Sequence, residues 1–113
     1  MNFLIRLLIT AAVAYVLSRV LSGVHIPEFK DAFILALVLA ILNTFIKPLL
    51  ILFTLPITIF TLGIFLFVIN ALIILLADKF ISGIRIDGFF WALIFSLVLS
   101  FASSVLQKLL EKK

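Results

Sequence analysis

The sequence predicts an all-α membrane protein: four transmembrane helices, arranged as a tandem parallel repeat of a two-helix unit, with a proline-containing apolar middle connection. Three observations carry this. First, 66% of the 113 residues are hydrophobic and only 12% charged, with a mean hydropathy of +1.49. A soluble domain is about 45–50% apolar, and a globule this small keeps too much surface wet to hide the excess. Disorder needs the opposite composition. Second, polar breaks divide the chain into apolar runs of spanning length. Third, the chain superimposes on itself without gaps at an offset of 60 residues.

A spanning helix needs about 20 mostly apolar residues. Residues 3–22 (FLIRLLITAAVAYVLSRVLS) meet this, with Arg6 and Arg19 near enough to the ends to snorkel. Arg19 also stands where a cleaved signal peptide would need small residues, so the segment reads as a helix of the protein. Residues 23–31 (GVHIPEFKD) are a polar break, and residues 32–46 form the second run. Residues 49–77 are apolar and uncharged, 78–88 (DKFISGIRIDG) form the second break, and 89–106 make the last run before QKLLEKK.

The middle connection, 48–62, resists a simple assignment. A second helix that stopped at Ile46 would be about 22 Å long, too short to span without thinning the bilayer. Pro48 clashes with continued helix, yet the LLILFTL that follows is too apolar for water. Two solutions stand. In one, a kinked second helix runs to about residue 54, turns at Thr54-Leu55-Pro56, and a third helix begins at Ile57. In the other, 48–62 is a bent interfacial or re-entrant segment with Pro56 at its turn and Lys47 as an interfacial anchor. Pro48, Pro56 and Gly63 are the candidate structural joints.

At the 60-residue offset, 13 of 53 overlapping positions are identical, among them Ser22/Ser82, Gly23/Gly83 and Phe29/Phe89. The expected organisation is one membrane domain, 1–113, with repeat 1 at 1–50 and repeat 2 at 61–113. A unit with two crossings starts and ends on one side, so its copies are parallel and related by a pseudo-two-fold axis along the membrane normal. The side holding both termini and the middle connection carries Arg6, Lys47, Lys108, Lys112 and Lys113, against Arg19, Lys30, Lys79 and Arg85 on the loop side. The positive-inside rule then places both termini in the cytoplasm.

Ala32, Ala36 and Ala40 recur at helical spacing on the second helix, and their counterparts on the fourth are Ala92, Ser96 and Ser100. Small residues at that spacing let helices approach closely, which predicts packing of the second helix on the fourth through these stripes, inside the monomer or between subunits. Asn43 and Asn70 are the amides inside the apolar runs. With Thr10, Thr44, Lys47 and Ser103 they either line a wet path or lock helices together, the commoner use of such groups. The loops SGVHIPEF and SGIRIDGF share a pattern that suits a paired ribbon, with Gly23 and Gly83 as helix C-caps.

Chemistry finds little purchase. His25 is the only histidine and, with Glu28, gives two donors, too few for a closed metal site. No glycine-rich phosphate loop, HExxH helix or paired carboxylates appear, so neither an enzyme nor a cofactor is expected. Nine Lys and Arg spread along the chain make no dense patch for nucleic acid.

The run at residues 43–101 resembles the phage holin family, superfamily IV, and the resemblance covers nearly the whole chain. The carrying motifs are Asn43, Lys47 and Pro48, then Leu55, Pro56, Thr58, Thr61, Leu62, Gly63 and Phe65, then Ile69, Asn70 and Ala71, with Gly88-Phe89 opening the last helix. The resemblance implies a small four-helix protein of the bacterial inner membrane. It also implies homo-oligomerisation and the opening of membrane lesions through which a lytic enzyme escapes. Competing expectations are a narrow channel or carrier, and a scaffold serving a partner membrane protein.

Overall fold

The computed structural model describes residues 2–111, and these are predominantly helical. Helix α1 spans Phe3–Val20, and the Asn2 side chain caps it by accepting a hydrogen bond from the Ile5 amide at 2.9 Å. A two-residue strand β1 (Val24–His25) leads into α2 (Phe29–Phe45). Two short helices follow, α3 (Lys47–Phe53) and α4 (Leu55–Phe60), then α5 (Phe65–Phe80), strand β2 (Arg85–Ile86) and α6 (Phe89–Glu111). Helices α1 and α6 are each long and apolar enough to cross a membrane, and α2 with α3 makes a third span if that pair, bent by 41°, is one crossing. The 16 residues of α5 measure about 24 Å.

Helix α1 packs on α2 and α6, and α5 packs on α6 and α2. Helices α2 and α6 therefore stand diagonally, and within the monomer each packs on α1 and α5, which leaves the expected α2–α6 contact through the small-residue stripes to its between-subunit form. The positions between the stripes carry Leu35 and Phe95, both wholly buried. Ala32, Ala36, Ala92 and Ser96 are buried beside them, whereas Ala40 is half-buried and Ser100 exposed.

At the loop end the two strands pair antiparallel, Val24 with Ile86 and His25 with Arg85. Neither Gly23 nor Gly83 has a positive φ, so they are not left-handed caps. Their use is close approach: a Cβ on Gly23 would overlap the Trp91 indole, and one on Gly83 would overlap the Asp31 carboxylate. Glycines 60 residues apart thus meet residues that are themselves 60 apart.

The middle connection combines features of both expected solutions. The chain bends at Ile46, so that Pro48 falls in the first turn of α3, where its missing N–H costs nothing. It breaks again at Thr54, whose hydroxyl donates to the Leu50 carbonyl at 2.6 Å, and Pro56 falls in the first turn of α4. The full reversal comes later than Thr54–Pro56, at Leu62 (φ 57°) and Gly63 (φ 90°). There the Gly63 amide donates to Thr58 and the Leu62 amide to Ile59, the two bonds of a Schellman motif, and the Thr61 hydroxyl accepts from the Phe65 amide to open α5. Neither α3 nor α4 buries a residue, and Phe60 and Leu62 are about nine-tenths exposed. A wholly apolar surface of this extent is solvated by lipid or by another chain.

Candidate functional site: a polar cavity between the helices

Below the Leu35–Phe95 layer, towards the end that carries the chain termini, the four long helices do not close on one another. They border a half-open cavity of about 320 Å³. Each contributes polar groups: Arg6 and Thr10 from α1, Asn43 and Thr44 from α2, Asn70 from α5, and Ser96, Ser100, Ser103, Ser104 and Gln107 from α6, with Lys47 from α3 at the rim. At about 30 Å³ per molecule this is room for roughly ten waters, and the polar walls would hold them.

All of the expected path residues, Asn43, Thr44, Lys47, Asn70 and Ser103, border this space together with Thr10. Of the stripe residues, Ala36, Ala40, Ser96 and Ser100 line it, whereas Ala32 and Ala92 lie outside it in the packed core. The structural joints divide as well. Pro48 borders an adjoining groove, while Pro56 and Gly63 belong to the exposed connection. Among the described residues, neither Asn43 nor Asn70 hydrogen-bonds a side chain on another helix, and the Thr44 hydroxyl is spent on its own helix, donating to the Ala40 carbonyl at 2.7 Å.

Ser103 is the most telling member. It is 7% exposed, and its Oγ has no hydrogen-bond partner in the protein. An unpaired buried hydroxyl costs about 1–3 kcal/mol, so it persists where water or a ligand satisfies it. Arg6 reads from sequence as a snorkelling residue and Ser104 and Gln107 carry no role there, yet the last two have a signal: Gln107 is 60 residues from Lys47, and Ser104 is 60 from Thr44. Most of the lining forms such pairs, including Thr10 with Asn70, Ala36 with Ser96, and Asn43 with Ser103.

The charge of the lining is one-sided. Arg6 and Lys47 are its two cations, and no carboxylate stands among the described lining residues. The ion pairs of the described residues all lie at the ribbon end: His25 with Asp87, Lys30 with Glu28, and Arg85 with Asp87. There His25 Nε2 lies 2.9 Å from Asp87 Oδ2 and 3.1 Å from Arg85 Nη2. With a hydrogen on Nε2 the imidazole donates to Asp87; without it, Nε2 accepts from Arg85. The hydrogen bond from His25, with the Arg85 charge beside it, holds the Asp87 carboxyl below the usual aspartate range.

A family profile described as Mycobacterial 4 TMS phage holin, superfamily IV, matches residues 1–105. An uncharacterized membrane protein, YvlD, of Bacillus subtilis (strain 168) is 41% identical over 105 residues, covering 92% of this chain and 88% of that protein. An uncharacterized protein, SCO3922, of Streptomyces coelicolor is 38% identical over 81 residues, covering 68% of this chain and 65% of that protein. No solved structure matches.

Proposed function

Since the chain belongs to the phage holin superfamily IV family of membrane proteins, we propose that it works without catalysis, as four inner-membrane spans that enclose a water-filled path for small solutes. The observation that carries this is the gathering of the intramembrane polar residues of all four long helices around one cavity. The wet-path reading of Asn43 and Asn70 is thereby favoured over the helix-locking one.

The spans are α1, bent α2–α3, α5 and α6, in two parallel repeats, 1–50 and 61–113, linked through 48–62. Three features support the repeat: the ribbon pairs His25 with Arg85, each glycine of the Ser-Gly loops packs on the partner half, and the cavity walls pair at the 60-residue offset. Their common axis runs from the ribbon through Leu35–Phe95 to the cavity. Both termini face the cytoplasm, so the cavity opens on that side, and the packed layer beneath the ribbon, with Leu35 and Phe95 wholly buried, is the constriction that solutes must part to cross.

Proteoliposomes test the reading. The wild-type protein should release small inorganic ions faster than empty vesicles, and Asn70→Leu with Ser103→Leu should return release to background. Equal release by wild type and the double variant overturns it.

A second reading has its own observation, the exposed apolar surface of α3 and α4. A second copy of this chain, seated there, would make a homo-oligomer that opens lesions as holins do. A single species of monomer mass in mild detergent, with no co-purifying membrane-protein partner, removes that reading and leaves the cavity intact.

A further inference from the structure

We propose that the rim of the cavity binds an anionic phospholipid, its phosphodiester between Arg6 and Lys47 and one acyl chain along α3. This rests on the reading of the cavity as a wet, membrane-embedded site and names a ligand for it.

Two spaces meet at the rim. One is the polar cavity. The other is an apolar groove of about 370 Å³ formed by Asn43, Lys47, Pro48, Ile51, Leu52 and Leu55. Asn43 and Lys47 border both. Lys47, Ile51 and Leu55 recur every fourth residue, so the groove follows one face of α3 and the start of α4 for about 12 Å. A ligand that fills both must carry a polar head and an apolar tail.

The sign of the head follows from charge. Arg6 and Lys47 have no carboxylate partner among the described residues, and basic pockets between transmembrane helices are the usual seats of anionic headgroups. Depth is matched too. Gln107 lies near the rim, and Ser103, one helical turn deeper at about 6 Å, presents the unpartnered buried hydroxyl. A hydroxylated headgroup such as glycerol, extending inward from the phosphate, would reach it. The proline at position 48 makes the groove possible: by ending α2 at the rim it turns α3 aside by 41° and opens a track beside Lys47.

The test titrates the full-length protein in mild detergent with phosphatidylglycerol, with phosphatidylcholine of the same chains, and with inorganic phosphate. Phosphatidylglycerol should bind at least about tenfold more tightly than phosphatidylcholine. Arg6→Gln and Lys47→Gln should each weaken it about fivefold, while Lys79→Gln at the ribbon end changes nothing. Leu52→Asn should weaken the lipid, and millimolar inorganic phosphate should not displace it. Equal affinity for the two lipids overturns the inference, as does an unchanged Arg6→Gln/Lys47→Gln double variant with native helicity. Inorganic phosphate binding as tightly as the lipid, with Leu52→Asn silent, overturns the lipid in favour of a free anion. Ion release is a separate readout: lipid selectivity without release keeps this inference and removes the solute path, whereas release without lipid selectivity does the reverse.

Discussion

Gly23→Ala is the smallest change that probes how the two halves of the protein meet. The new methyl would occupy the space of the Trp91 indole, overlapping Cγ, Cδ1 and Cδ2. These are the rigid base of the ring, held edge-on by Phe90 at a centroid distance of 6.1 Å, so no flexible tip can swing away. Gly23 also ties the loops together, its carbonyl accepting from the Asp87 amide at 2.8 Å, which leaves the backbone little freedom to retreat. Overpacking of this kind costs about 1–3 kcal/mol, and the rigidity on both sides argues for about 2, roughly a 30-fold loss in the folded-to-unfolded ratio. The assay is reversible denaturation in mixed micelles, run as a double-mutant cycle with Trp91→Ala. Removing the indole empties the space, so in that background Gly23→Ala should cost less than about 0.5 kcal/mol, leaving a coupling of about 1.5 kcal/mol. The same cost in both backgrounds, or a cost below about 0.5 kcal/mol in the wild type, would refute the close approach. Gly83→Ala, which meets Asp31 instead, should behave alike and be relieved by Asp31→Ala.

Leu62 holds a left-handed φ of 57° with its side chain 92% exposed, so Leu62→Gly should stabilise the turn by about 1 kcal/mol in the same titration. Gly63→Ala should cost about 1 kcal/mol from its φ of 90° alone, because nothing lies within 4 Å of the added methyl. A lowered carboxyl pKa in the folded state contributes stability above the unfolded value, about 3.9 for aspartate, and that stability is lost as the pH falls through the folded value. Hydrogen exchange of the ribbon amides should therefore be steady above about pH 5 after correction for the intrinsic rate, accelerate below about pH 4, and lose this acid dependence in Asp87→Asn.

The helical membrane class is legible in the sequence because composition and run length act over whole segments and need no tertiary information. The ribbon was legible for a different reason: SGVHI and SGIRI share apolar alternation and stand at equal positions in the two halves. What escaped were relations between helices. Small-residue spacing shows which face of α2 and α6 is narrow, but not that each of these helices packs on α1 and α5. Gly23 and Gly83 read as caps because helix-ending glycines usually are, and only the packed neighbour reveals Trp91 and Asp31 as the cause. Arg6 read as a snorkelling residue because its distance from the chain end says nothing of the face it shares with Thr10, one turn away on the cavity wall.

The central claim is that water fills the space around Ser103 from the terminal side. The chain has no cysteine, so single cysteines can be read without background. In inside-out membrane vesicles, a small charged thiosulfonate reagent should modify Ser103→Cys and Asn70→Cys, since a thiol in water ionises and reacts. It should spare Phe101→Cys, whose position is 73% exposed but faces outward into lipid in this account. Modification of Phe101→Cys with Ser103→Cys and Asn70→Cys protected would contradict the account.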